Sequence, residues 1–277
     1  MPKNKEVKRT RLHYYSHRGR RAHPTTFLHR LGTGLLLPII LIFVASFLAT
    51  GAIFLPFTYT LQLGTLLGAL GLSLTRLLIA YVLSILIGIP LGLFAERSHY
   101  VESFLLPVYD VLESIPMLAF FPVIILFFVR SNFLEGAAIF ILFFTMIWNI
   151  VFSTIGGLKV IPADVKAVGH VFGLSTWDRF TKITLPALFP PIVTGSILAL
   201  ASGWNIVIVA EALHAYAPAT SNAHDLFGIG SILVNAASSG NNSELLAAMS
   251  VLIIVIALIN LFVWQPLLAH AERYKFE

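Results

Sequence analysis

Residues 31–75 contain no charged side chain, and this absence constrains the chain more than any other feature. The run exceeds the roughly 20 apolar residues that one helix needs to cross a bilayer. It also exceeds the apolar stretch of about 7–15 residues in a secretory leader, which argues against a leader here. A first membrane helix is expected over 34–57, with a partly interfacial segment, 61–75, leading into a second span at 77–95. Only 11% of the 277 residues are charged and 57% are hydrophobic, whereas a soluble domain carries about 25% charged residues. Much of this chain is therefore expected in lipid, as helices that satisfy their own backbone groups.

Four further spans follow. One covers 104–129 and carries Pro107, Pro116 and Pro122; the next is 136–155, ended by Gly156-Gly157. A fifth span starts after Pro186, and the last is 245–268. The outer segment 212–243 reads as a loop containing Gly228-Ile229-Gly230. Three units result: a basic arm over 1–30, an additional first transmembrane helix within 31–60, and a helical core over 61–277.

Charge sets the expected orientation. Half of the 18 Lys and Arg residues lie in the arm, which reads as a solvated tail holding the N-terminus in the cytoplasm. That reading needs no nucleic-acid partner. With about six spans, both termini share the cytoplasmic side with the polar loop 158–186. Only Arg76 and Arg130 then fall outside or at the outer edge, as the positive-inside rule asks.

The loop 158–186 is the longest charged interruption after the arm. Pro162 suits the start of a short helix, and Gly173 suits its left-handed stop. Ser175 with Asp178 resembles a capping box for a second helix, and Pro186 discourages its continuation. Val165, Val168 and Val171/Phe172 recur at helical spacing, with Asp164, Lys166 and His170 between them. Two roles fit such a ridge beside a membrane. It docks into a groove of a soluble partner, or it folds back onto its own bundle.

Gly173, followed after nine residues by Ile183-Thr184-Leu185-Pro186, resembles the second half of the EAA loop of ABC-importer permeases. In that family the loop lodges in a cleft of the ATPase subunit. The first half departs from the pattern: Ala167-Val168-Gly169 stand where the family has Glu-Ala-Ala. Asp164, on the same helical face, is the nearest carboxylate. Other pieces are similar to the family: Ser73-Leu74-Thr75-Arg76, Gly88-Ile89-Pro90-Leu91-Gly92, Ile115-Pro116-Met117 through Pro122, and Leu185-Pro186 through Pro190. Trp204 with Val209-Ala210-Glu211, and Asn260, Trp264, Pro266 and Ala271-Glu272-Arg273-Tyr274, resemble its nitrate/sulfonate/taurine branch. In that branch the G-x-G lies closer to the Glu, so residues such as 214–225 read as an insertion.

The resemblance covers about three quarters of the chain. It implies an all-α, polytopic permease subunit of an ATP-driven importer. Its partners would be an ATP-binding subunit dimer, a second permease subunit (by default a second copy of this chain), an extracytoplasmic solute-binding protein and the lipid bilayer. The coupling set implied is Asp164, Val165, Ala167, Val168, Gly169, Gly173, Ile183, Leu185 and Pro186. The solute implied is small, polar and anionic, like nitrate, bicarbonate, a sulfonate or taurine.

The residues offer their own candidates for a path. By the resemblance Pro116 and Met117 lie near the path, whereas the residues alone indicate a kink. Arg76 falls near the outer boundary, where it attracts an anion or pairs with Glu211 at the same depth. Asn149, Trp204 and Asn205 line a path with weak hydrogen bonds, or bond helix to helix. Asp110 reads as a headgroup contact, and Glu113 stays open. No cofactor, metal or catalytic residue is expected. The chain has no cysteine and no phosphate-cradling G-x-x-x-x-G-K-[S/T], so ATP would bind a separate subunit. The alternative is a secondary transporter or channel without an ATPase, but no internal repeat is found and mid-membrane charges are few. An intramembrane enzyme would need His, Asp or Glu clustered at one depth. The only H-x-x-x-H pair, His13 and His17, lies in the arm.

Overall fold

A computed structural model of the chain describes residues 63–215 and 224–274, apart from the side chains of Lys166, Val168, His170 and Ala215. The arm 1–30 and the expected first helix 34–57 lie outside the described residues. Those described are helical, with no strand among them. In order they form α1 (Leu63–Ala95), α2 (His99–Ser114), α3 (Met117–Arg130), α4 (Leu134–Val160), α5 (Ala163–Val171), α6 (Thr176–Arg179), α7 (Leu185–Glu211), α8 (Ile229–Ser238), α9 (Asn242–Ile259) and α10 (Gln265–Ala271). Among the described residues four continuous helices are long and apolar enough to cross a membrane, or five spans if the bent pair α2–α3 counts as one.

α4 is the axis of the bundle, packed along its length against α1 and α7. Its apolar residues surround it rather than forming one stripe, as expected of a helix buried on several sides. Ile141, Leu142, Met146 and Ile150 meet Leu77 of α1, Phe121 and Ile125 of α3, and Ala199 and Val207 of α7 in one buried core. Small residues permit the close approach. A Cβ added at Gly88 would lie 3.1 Å from Ile150, and one at Gly92 would lie 2.7 Å from Thr154. Between apolar helices in lipid, such proximity maximises dispersion where the hydrophobic effect offers little. Tyr81 adds a hydrogen bond to Ser196 at 2.8 Å.

The structure changes several expected boundaries, each for a physical reason. The segment 61–75 is not a separate interfacial piece: α1 starts at Leu63, and Leu66 and Leu70 are buried against Ile229, Leu233 and Ala248. The expected span 104–129 is not one helix. It breaks between α2 and α3 with an 81° bend. Ile115 there is extended, with φ −70° and ψ 120°, because the ring of the following Pro116 disfavours helical backbone at that residue. Gly156-Gly157 does not end α4, since Gly157 sits tightly under Pro191 and Leu188. Pro186 does not begin a separate helix either. α6 runs through a π turn (Phe180–Thr184) directly into α7, in which Leu185 N donates to Phe180 O. The wider turn just before Pro186 accommodates a residue with no N–H to donate. The last span is similar, with a π turn (Asn260–Trp264) before Pro266. The outer segment is not all loop, since α8 lies within it.

Candidate coupling loop, ion-paired lock and recess

Three sites emerge from this architecture. The first is the elbow between α4 and α7. α5 is followed by Gly173, whose φ of +62° a side chain would strain. Ser175 Oγ then caps α6 by accepting from Asp178 N at 3.1 Å, and Lys182 pairs with Asp178 at 2.6 Å. Gly169, the departure from the familiar Ala, is buried where the stem of Arg179 crosses it. A Cβ there would lie 2.9 Å from Arg179 Cδ and 3.1 Å from Ile183.

The apolar ridge divides. Val165 packs against Leu158, Ile161 and Leu188 of the bundle. Val171, Phe172 and Trp177 stand 82, 74 and 72% exposed. Asp164 and Ala167 are exposed and Ile183 is half-buried. Leu185 is exposed and Pro186 half-buried at the start of α7. α6 and α7 are one continuous helix, so the elbow joins directly onto a helix long and apolar enough to cross a membrane.

The second site lies at the opposite end of the bundle. The guanidinium of Arg76 clamps Glu135 bidentately, at 2.5 Å from Nε and 2.7 Å from Nη2. Its Nη1 donates to Glu211 at 2.7 Å and to the carbonyl of Phe227 at 3.1 Å. Glu211 also accepts from Gly230 N at 2.8 Å and from Ser73 Oγ at 2.9 Å. Ser73 Oγ in turn accepts from Ile229 N at 2.9 Å. A carboxylate at the positive N-terminus of α8 is electrostatically favoured. The two glycines are needed for contact. A Cβ on Gly228 would overlap the Glu211 carboxylate, and one on Gly230 would sit 2.6 Å from Ile208 Cα. Of the two roles expected for Arg76, the structure displays the ion pair. Nearby, Leu226 N donates to Glu211 O, and Asp225 meets His214 Nδ1 at 2.6 Å.

The third is a recess of about 340 Å³ at the α2–α3 break, lined by Glu113, Pro116, Met117, Trp148, Asn149 and Ser202 among others. Asn149 Nδ2 donates to Ser202 Oγ at 3.2 Å, tying α4 to α7. Pro116, Met117 and Asn149 thus converge. Asn205 is exposed on α7 and is not part of that lining, and Trp204 packs between the core and the α1–α8–α9 cluster. Glu135, Trp148, Trp177 and Ser202 are not among the site residues read from the sequence, and Ser73 entered there only as part of a family-like run. Among the described residues no three His, Asp or Glu converge to hold a metal.

The comparisons agree with this architecture. The profile of the family described as "Binding-protein-dependent transport system inner membrane component" matches residues 88–265. The nitrate import permease protein NrtB of Leptolyngbya laminosa is 35% identical over 191 residues, covering 69% of this chain and 64% of NrtB. The bicarbonate transport system permease protein CmpB of Synechococcus elongatus is 32% identical over 139 residues, 50% of this chain and 49% of CmpB. The chain thus spans from about half to just under two thirds of these relatives' own length. The inward-facing MetNI methionine ABC transporter shares the fold at TM-score 0.64, with 18% identity, over 77% of this chain and 99% of the MetNI chain. Profile, relatives and fold converge on one assignment: the chain belongs to the family of binding-protein-dependent transport system inner membrane components.

Proposed function

We propose that this chain is the membrane permease subunit of an ATP-driven importer for a small oxyanion. The observation that carries this is the exposed apolar elbow, Val171, Phe172 and Trp177, continuous through α6 with the span α7. Apolar side chains so exposed on a polar turn call for a protein partner. An ATPase subunit that grips the elbow would move α7 with it. Asp164, Ala167, Val168, Gly169 and Gly173 would shape the elbow, and Val165, Ile183, Leu185 and Pro186 would join it to the bundle.

The elbow, the arm and the C-terminus would lie in the cytoplasm, by the distribution of Lys and Arg. Two copies of the chain would flank one pathway, and a solute-binding protein would deliver solute at the Arg76 end. The names of the nitrate and bicarbonate permeases support an oxyanion as cargo. Copurification with an ATPase, followed by ATP-dependent uptake of labelled oxyanions in proteoliposomes, tests the proposal. Uptake of a cation or a neutral solute with all anions ignored would overturn the cargo. Failure to retain any ATPase would overturn the permease role.

A further inference from the structure

Resting on that proposed function, we infer that Gly169 is a positioning residue of the elbow. Having no side chain, it seats α6 against α5 and so sets the spacing of the two apolar parts that one ATPase groove must meet. Those parts come from different helices. Val171 ends α5 with Phe172 just beyond it, and Trp177 stands on α6, all three exposed. The turn at Gly173 and the packing of α5 on α6 relate them, so whatever fixes that packing fixes the docking surface.

Two observations meet at Gly169. Its carbonyl accepts from Leu174 N at 3.0 Å, and with Gly173 left-handed this bond closes a Schellman stop. In such a stop the residue at the place of Gly169 often carries an apolar side chain, packed on the residue that follows the left-handed glycine. Here that place has no side chain, although Gly169 is buried. The second observation is what fills it. A Cβ on Gly169 would lie 2.9 Å from both Cγ and Cδ of Arg179, and 3.1 Å from Ile183 Cδ1. Arg179 ends α6, and Ile183 belongs to the π turn that follows. The apolar stem of the arginine and the isoleucine therefore cross the α5 backbone where a side chain would stand. Glycine weakens a helix relative to alanine, and this crossing is what it permits in return. Because the arginine stem is flexible, an alanine would displace it rather than unfold the turn. The docking surface would change while stability held.

The test uses the full chain in lipid nanodiscs. Spin labels on Ala167→Cys and Thr176→Cys, both exposed in a chain without other cysteines, report the α5–α6 spacing by electron paramagnetic resonance. Gly169→Ala should shift or broaden that spacing and leave the melting temperature at the parental value. On the unlabelled chain, affinity for the ATPase that copurifies with the parent should fall roughly tenfold in Gly169→Ala, a loss within the range of coupling between residues in contact. In an Arg179→Ala background the same substitution should cost no more than about twofold, because the stem it meets is gone. Gly156→Ala, where a Cβ meets nothing within 4 Å, controls for added helix propensity and should match the parent. An unchanged spacing in Gly169→Ala refutes the inference, whether or not an ATPase is retained. So does parental affinity in that variant, a lowered melting temperature, or a tenfold loss that persists in the Arg179→Ala background. Loss of the ATPase in Arg179→Ala alone also refutes it, by making the guanidinium the determinant. A parent that retains no ATPase overturns the permease role instead, and the spacing still decides whether Gly169 seats α6.

Discussion

Arg76 Nη1 donates to Glu211 at 2.7 Å while Nε and Nη2 of the same guanidinium grip Glu135. One side chain of α1 thereby holds the start of α4, the end of α7 and, through Glu211, the N-terminus of α8. The two carboxylates are not equivalent. The Glu211 side chain is fully buried, whereas that of Glu135 is 48% exposed.

That asymmetry sets the first prediction. Glu211→Leu strands the Ser73 hydroxyl and Gly230 N–H and removes the buried partner of Arg76. It should cost about 3–5 kcal/mol. Glu135→Gln should cost no more than about 1 kcal/mol, because water already screens that pair. Thermal unfolding of the two variants in detergent checks the order. Equal losses would show that burial does not govern the lock.

Gly230→Ala should destabilise by about 1–3 kcal/mol, because its Cβ would meet backbone, Ile208 Cα and Val207 O. Backbone cannot step aside as a flexible side chain can. Gly71→Ala, where a Cβ meets nothing within 4 Å, serves as the control and should leave the melting temperature level or slightly raised. A comparable loss in both variants would discount the close approach of α8 to α7.

Trp177→Asp and Phe172→Asp should abolish ATPase copurification without lowering thermal stability, since both side chains are exposed. Gly173→Ala should reduce coupling more mildly, by straining a left-handed backbone by roughly 1 kcal/mol. ATP-driven uptake at parental levels in the two Asp variants would remove the elbow from the coupling path.

Orientation can be read directly, because the chain has no cysteine. Single cysteines at Thr10, Thr176 and Lys275 should react with an impermeant thiol reagent only after the membrane is permeabilised. Thr176 is exposed on α6 and leaves the Ser175 cap intact. Labelling of Thr176→Cys on intact cells would reverse the proposed topology.

Local physics was legible in the sequence. Charge-free runs mark what lipid can accept, and most of the helical spans lie near where those runs predict them. Gly173 and Ser175 act within one turn of themselves, so their roles as helix stop and cap can be read in isolation. Tertiary structure decided everything that depends on a neighbour far along the chain. Pro107, Pro122 and Pro186 sit inside continuous helical paths, whereas Pro116 marks a sharp break. A proline forfeits the same N–H wherever it stands, and its surroundings decide whether the helix continues. Glycine behaves likewise: Gly157 persists in α4 because Pro191 packs where its side chain would be. Arg76 announced that a buried cation needs a partner, and Glu211 was legible as one from its depth. Its second partner, Glu135, is 59 residues away, and only the fold brings the two together.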